Sequence, residues 1–154
     1  MSTQQSPNRC LSGAFALSLA LLAAPAAPAA EMVSVARPVI NMRTGPGTGY
    51  EATWRLNRGY PLQVTARRGG WLKVRDFEND EGWVMGRLTG TSPHFIVKSK
   101  VANIRSGPGT RHRVLGQAEY GEVLRTVERR KGWARVRDGD GIVGWVSRTL
   151  LWGW

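Results

Sequence analysis

The sequence predicts an all-β protein of two small, tandem β-barrels behind a cleaved signal peptide. Three observations carry this expectation. A segment of about fifty residues occurs twice; short alternating strands separated by Gly, Pro, Asn and Asp fill each copy; and an apolar run ending in small residues stands at the N-terminus. The expected divisions are residues 1–29 for the signal, 30–89 for the first module and 94–154 for the second.

The first element is an export signal. Arg9 supplies a basic start, Leu11 to Ala24 is apolar, and Ala27-Pro28-Ala29 offers small residues for cleavage near Ala29. A membrane-spanning helix needs about 20 apolar residues, and this run stops short at prolines, so no transmembrane span is expected after cleavage. The single cysteine, Cys10, precedes the run and leaves with the signal. The remaining chain then has no thiol, no disulfide and no cysteine-based metal site. Its balance is strongly basic: 22 Lys and Arg against 11 Asp and Glu give a formal charge of +11, one less once Arg9 is removed. Such a field favours anionic polymers. Export removes nucleic acid from the candidates and leaves wall polymers, lipid phosphates and carboxylate-bearing peptides.

The repeat defines the rest. A shift of 62 residues aligns Val39–Leu88 with Val101–Leu150 without gaps, and about 20 of the 50 positions are identical. The stretch Thr89 to Pro93 joins the copies as a turn-rich linker. Alternation predicts strands within Met32 to Arg37, Pro61 to Ala66, Trp71 to Arg75 and Gly82 to Met85. The segments VMGRL and VSRTL close each copy in one helical turn. Five or so strands in about 60 residues hide their edges by curling into a barrel.

Gly45-Pro46-Gly47 and Gly107-Pro108-Gly109 recur at the same place in both copies. No helix follows them, no Gly-Lys-Ser/Thr is present, and proline removes an amide donor, so they are not phosphate loops. They are read as hairpin turns in which the glycines reach positive φ. Asn41 and Asn103 are expected to hydrogen-bond these turns, and the aliphatic stems of Arg43 and Arg105 to cover them.

The order N-x-R-[ST]-G-P-G-T, then G-W-x-x-V-R-D, then G-W-V and a final Leu, resembles the bacterial SH3-type domain and does so twice, across nearly all of the chain beyond the signal. The resemblance implies two SH3-like barrels. It also implies an exported module that binds cell walls or peptides, a kind often attached to wall hydrolases. Here the sequence ends at Trp154, just after the second copy, with no catalytic domain attached.

No enzymatic constellation is expected. His94 and His112 align with Met32 and Tyr50 and so belong to no duplicated site, and a cysteine nucleophile is lost with the signal. The carboxylates of Asp76 to Gly82 and Asp138 to Gly141 lie in turns without the ligand spacing of a calcium loop; no metal or other cofactor is expected. The binding candidates lie on one strand of each copy. Trp71, Lys73 and Arg75 alternate with Leu72 and Val74, as Trp133, Arg135 and Arg137 alternate with Ala134 and Val136. With the aliphatic residues inside, a Trp and two cations share each outer face, where an indole can meet a sugar ring or peptide and the cations can meet carboxylates. The alternative is that each Trp lids its own core. Tyr50 and Tyr60 flank the same turn region in the first copy and join the candidates. Trp83 and Trp145 are read as barrel or module-interface residues, and Trp152 and Trp154 as packing across the module junction or meeting a partner. The expected function is non-enzymatic recognition of peptidoglycan, its peptides or another acidic envelope polymer. The alternative is an adaptor or inhibitor docking on an envelope enzyme or receptor.

Overall fold

A computed structural model describes residues 29–154 together with Met1; the apolar run and Cys10 lie outside the described residues. The first sheet contains β1 (Met32–Val35), β2 (Val39–Arg43), β3 (Ala52–Asn57), β4 (Pro61–Arg68), β5 (Trp71–Arg75), β6 (Glu81–Met85) and β7 (Thr89–Gly90). The second contains β8 (His94–Val97), β9 (Val101–Arg105), β10 (Val114–Glu119), β11 (Val123–Arg130), β12 (Trp133–Arg137), β13 (Val143–Ser147) and β14 (Leu151–Gly153). A single 3-10 turn, Gly86–Leu88 or Arg148–Leu150, precedes the last strand of each. Both sheets are antiparallel and have the same topology, β3-β2-β6-β5-β4-β1-β7 and β10-β9-β13-β12-β11-β8-β14. There is no α-helix among the described residues.

Each sheet has seven strands where the sequence pattern showed about five. The Asn-x-Arg segments form β2 and β9, which lead into the Gly-Pro-Gly hairpins, and the last two or three residues of each copy add a short edge strand. The two modules are therefore all-β. Each sheet curls about its own core: Leu56 on edge strand β3 shares a buried cluster with Val33 and Val35 of β1, although four strands separate β3 from β1. A bulge falls at the same place in both copies, between Val64 and Ala66 in β4 and between Thr126 and Glu128 in β11, which is how a long strand bends and twists across a core. The cores are aliphatic. Val74, Val84, Val136 and Val146 are fully buried, and Met42 and Ile104 occupy equivalent central positions.

The Gly-Pro-Gly turns differ from expectation in two ways. Positive φ occurs at Gly59, Gly69, Gly121, Gly132, Gly141 and Gly153 and not within either Gly-Pro-Gly. Glycine is required there instead by close approach, because the ring of Tyr50 lies against Gly45 and Gly47, and that of His112 against Gly107 and Gly109. A β-carbon on Gly107 would stand 2.6 Å from His112 Cε1. The guanidinium groups of the two arginines also brace the turns. Arg43 Nη1 donates to the carbonyls of Thr48 (3.2 Å) and Tyr50 (2.8 Å), and Arg105 Nη1 to those of Thr110 and His112, both at 3.0 Å. Asn103 does not reach its turn; its Oδ1 accepts from Gln117 Nε2 at 3.0 Å across β9 and β10, and Asn41 occupies the matching ladder position opposite Arg55. A strand ladder fixes the backbone of these asparagines, so their side chains project from a sheet face beside the residue opposite them, Gln117 for Asn103 and Arg55 for Asn41.

The aromatic tail is part of the second sheet. Leu151–Gly153 pairs with β8, the Trp154 amide donates to the His94 carbonyl at 3.1 Å, and Trp152 and Trp154 are half-buried.

Candidate ligand-binding faces

The strands β5 and β12 position the candidate side chains. Leu72 and Val74, like Ala134 and Val136, point into the cores. Trp71, Lys73 and Arg75 then share the opposite face of β5, half-buried, while β12 presents a half-buried Trp133 with exposed Arg135 and Arg137. Trp71 also borders a cleft of about 210 Å³ with Asn41, Arg43 and Thr48, beside the Gly-Pro-Gly hairpin.

The two faces differ in charge. In the first, Lys73 Nζ contacts Glu81 Oε2 at 2.9 Å, and Arg75 Nη2 donates to Gln63 Oε1 at 2.7 Å. The hydrogen bond from Lys73 holds the Glu81 carboxyl below its ordinary range, with the charges of Lys73 and Arg75 adding to the effect. In the second, the position of Glu81 is taken by Val143 and that of Gln63 by Arg125. Arg125 lies directly opposite Arg137 in the ladder. Neither of these arginines, nor Arg135, makes an ion pair among the described residues. Arg125 and Arg137 line one open depression and Arg125 borders another, of about 370 Å³ at the module junction, which it shares with Arg58 and His94. His94 is half-buried there, its Nδ1 2.9 Å from the Ser92 carbonyl. Burial chiefly, with a contribution from the Arg125 charge, lowers the His94 pKa against the opposing effect of that hydrogen bond.

The two tyrosine candidates separate. Tyr50 sits on the first Gly-Pro-Gly turn, whereas Tyr60 closes the β3 to β4 turn and packs against the first core. The Tyr60 hydroxyl donates to Asp76 Oδ2 at 3.2 Å, and its pKa is raised, first by burial and then by the Asp76 carboxylate. Trp145 is buried at 7% exposure with the Arg130 guanidinium 4.9 Å above its ring, and Trp83 is half-buried opposite Arg43 and Lys73.

A third set of residues escaped the sequence reading. Trp54, Phe77 and Tyr120 line a groove between the modules together with Tyr60 and Asp76. Phe77 and Tyr120 interrupt the repeat, standing opposite Gly139 and Arg58 in the 62-residue alignment, so duplication gave no signal for them. Their unpaired aromatic character was the signal available. The adjacent turn brings one carboxylate oxygen each from Asp76, Glu78 and Asp80 within 4.8 Å of one another, a spacing a hard cation could bridge. Two backbone amides, of Glu78 and Asp80, already occupy Asp76 Oδ1, each at 2.9 Å.

Two curled antiparallel sheets, each with an indole and two cations on one outer strand, define a tandem of small β modules. The chain belongs to the bacterial SH3 domain family, carrying one such domain at residues 36–89 and a second at residues 100–151. It is similar to YrvJ of Bacillus subtilis (strain 168), provisionally named an N-acetylmuramoyl-L-alanine amidase, with 26% identity over 128 residues that cover 76% of this chain and 24% of that protein. Among solved structures it is similar to NlpC2 from Trichomonas vaginalis, with a TM-score of 0.37, 13% identity and coverage of 82% of this chain and 49% of that one. An NlpC/P60 family protein from Bacillus cereus ATCC 10987 also has a TM-score of 0.37, with 14% identity and coverage of 80% and 56%. The chain thus spans about a quarter of the length of the curated relative and about half of these structures.

Proposed function

We propose that this is an exported, non-catalytic protein whose two SH3 domains, each closing as a small barrel, hold peptidoglycan or its peptides. The observation that carries the reading is the duplicated outer strip, Trp71-Lys73-Arg75 and Trp133-Arg135-Arg137, in which an indole face adjoins cations. Indoles stack on sugar rings and aliphatic peptide groups, and guanidinium groups clasp carboxylates, so the strip suits a polymer made of both. The second strip is the stronger anion site, since no carboxylate neutralises it among the described residues. Similarity to a protein named for action on N-acetylmuramoyl-L-alanine supports a wall ligand. Structural employment of both histidines, His94 at the Ser92 carbonyl and His112 on its glycine turn, supports a non-catalytic role.

Co-sedimentation of the protein with purified peptidoglycan sacculi tests this. Retention is expected at 0.1 M salt and should fall toward 1 M, as the screening length contracts from about 10 Å to about 3 Å. Trp71→Ala and Trp133→Ala should each reduce retention while leaving the far-UV spectrum and melting transition nearly unchanged. Absence of retention at low salt, with specific capture of one envelope protein instead, would replace wall binding by the adaptor function.

A further inference from the structure

The groove between the modules has a volume of about 270 Å³ and combines aromatic with acidic lining residues in a chain of net positive charge. Its walls are aromatic. The Tyr60 and Phe77 rings lie 6.3 Å apart at 59°, and Phe77 and Tyr120 lie 5.4 Å apart at 54°. These tilted contacts are favourable in themselves, and all three rings line the groove. Trp54 and Tyr120, at 53% and 51% exposure, remain open to solvent at its mouth.

The groove is also locally acidic. Asp76 is buried beneath it with its carboxylate held by two amides and the Tyr60 hydroxyl, and the Tyr120 hydroxyl donates to Glu78. Neither carboxylate, nor that of neighbouring Asp80, forms an ion pair among the described residues, although the chain has twice as many cationic as anionic side chains. Arg55 is the cation among the lining residues. Negative charge left unpaired beside several ring faces attracts a cation with some apolar surface, because ring quadrupoles and carboxylates act on it with the same sign.

We infer that this groove binds the primary ammonium group of a peptide side chain, with Trp54, Tyr60, Phe77 and Tyr120 around the cation and its methylene stem and Asp76 and Glu78 as counter-charge. A groove slightly below the 300–1,000 Å³ range of small-molecule pockets suits one side chain rather than a polymer strand. A hydrated divalent metal fits less well, since Asp76 Oδ1 already serves two amides and the ring faces offer such an ion no ligand atoms. The Tyr120 hydrogen bond raises the phenol pKa above its ordinary value, which keeps this donor protonated and the Glu78 carboxylate oriented. None of the lining residues belongs to the two Trp and cation strips, and the site does not depend on their ligand. It gives a basic protein a way to hold a peptide bearing both carboxylates and a free amine.

The test is a titration of the purified protein with Nα-acetyl-lysine methylamide and with its norleucine counterpart, read by the Trp54 indole N–H resonance. Loss of that signal in Trp54→Phe identifies it. Saturable shifts should appear with the lysine compound at a dissociation constant roughly tenfold below that of the norleucine compound. Glu78→Gln, which keeps an oxygen to accept the Tyr120 hydroxyl, should remove most of the difference, while the Trp71 and Trp133 indoles stay still. Equal shifts with both compounds, no shift with either, or a response to calcium chloride alone would overturn the inference, the last by making the carboxylates a metal site.

Discussion

Gly144 stands where β13 crosses β9, and a β-carbon there would lie 2.6 Å from the Arg105 carbonyl oxygen and 2.7 Å from Ile104 Cγ2. Both neighbours are fixed, one as backbone and one as a buried side chain, so Gly144→Ala is expected to cost about 1–3 kcal/mol through overpacking. Gly49 has nothing within 4 Å of such a β-carbon and no positive φ. Gly49→Ala should therefore leave stability unchanged or raise it by about 0.4–1 kcal/mol by restricting the unfolded chain. Urea denaturation of the two variants checks the pair, and equal midpoints would contradict the packing account. At this scale the sequence identified which glycines matter, since Gly45, Gly82, Gly107 and Gly144 all recur in the repeat. It did not reveal why. Local propensity pointed to positive φ, while the constraint at Gly45 and Gly107 is an aromatic ring five residues onward, a contact visible only after the hairpin folds.

The period-two pattern of β5 and β12 separated the core residues from Trp71, Lys73, Arg75, Trp133, Arg135 and Arg137, because strand geometry leaves only two faces. What each face neutralises depends on the neighbouring strands. Glu81 and Gln63 engage the first pair of cations, and Val143 and Arg125 leave the second pair free. If an anionic wall ligand is held by these strips, Arg137→Gln should weaken sacculus binding about twofold to fivefold, the size of an exposed ion pair. Arg75→Gln should have a smaller effect. The measurement is the sedimentation isotherm at fixed salt, and an Arg75 effect equal to or larger than that of Arg137 would contradict the assignment. Neither cross-strand partner was legible in advance, since register between paired strands is set by hairpin geometry and by bulges such as those in β4 and β11.

Over the whole molecule, duplication made the fold legible: a 62-residue shift relates every strand of the first sheet to one of the second. The same duplication concealed the junction, where several residues differ between the copies. Tyr120 replaces Arg58, Phe77 replaces Gly139 and His94 replaces Met32 in the alignment, and together they line an acidic aromatic groove on one side and an arginine-rich depression on the other. If both indole strips hold the same polymer, binding at one raises the effective concentration at the other. The most direct measurement of this account is residue-resolved NMR of the protein titrated with soluble peptidoglycan fragments containing both glycan and stem peptide. If the strips hold wall polymer, saturable shifts should centre on the Trp71 and Trp133 indoles and on the amides of Arg135 and Arg137. A spectrum unmoved at those positions by fragments at millimolar concentration would contradict it.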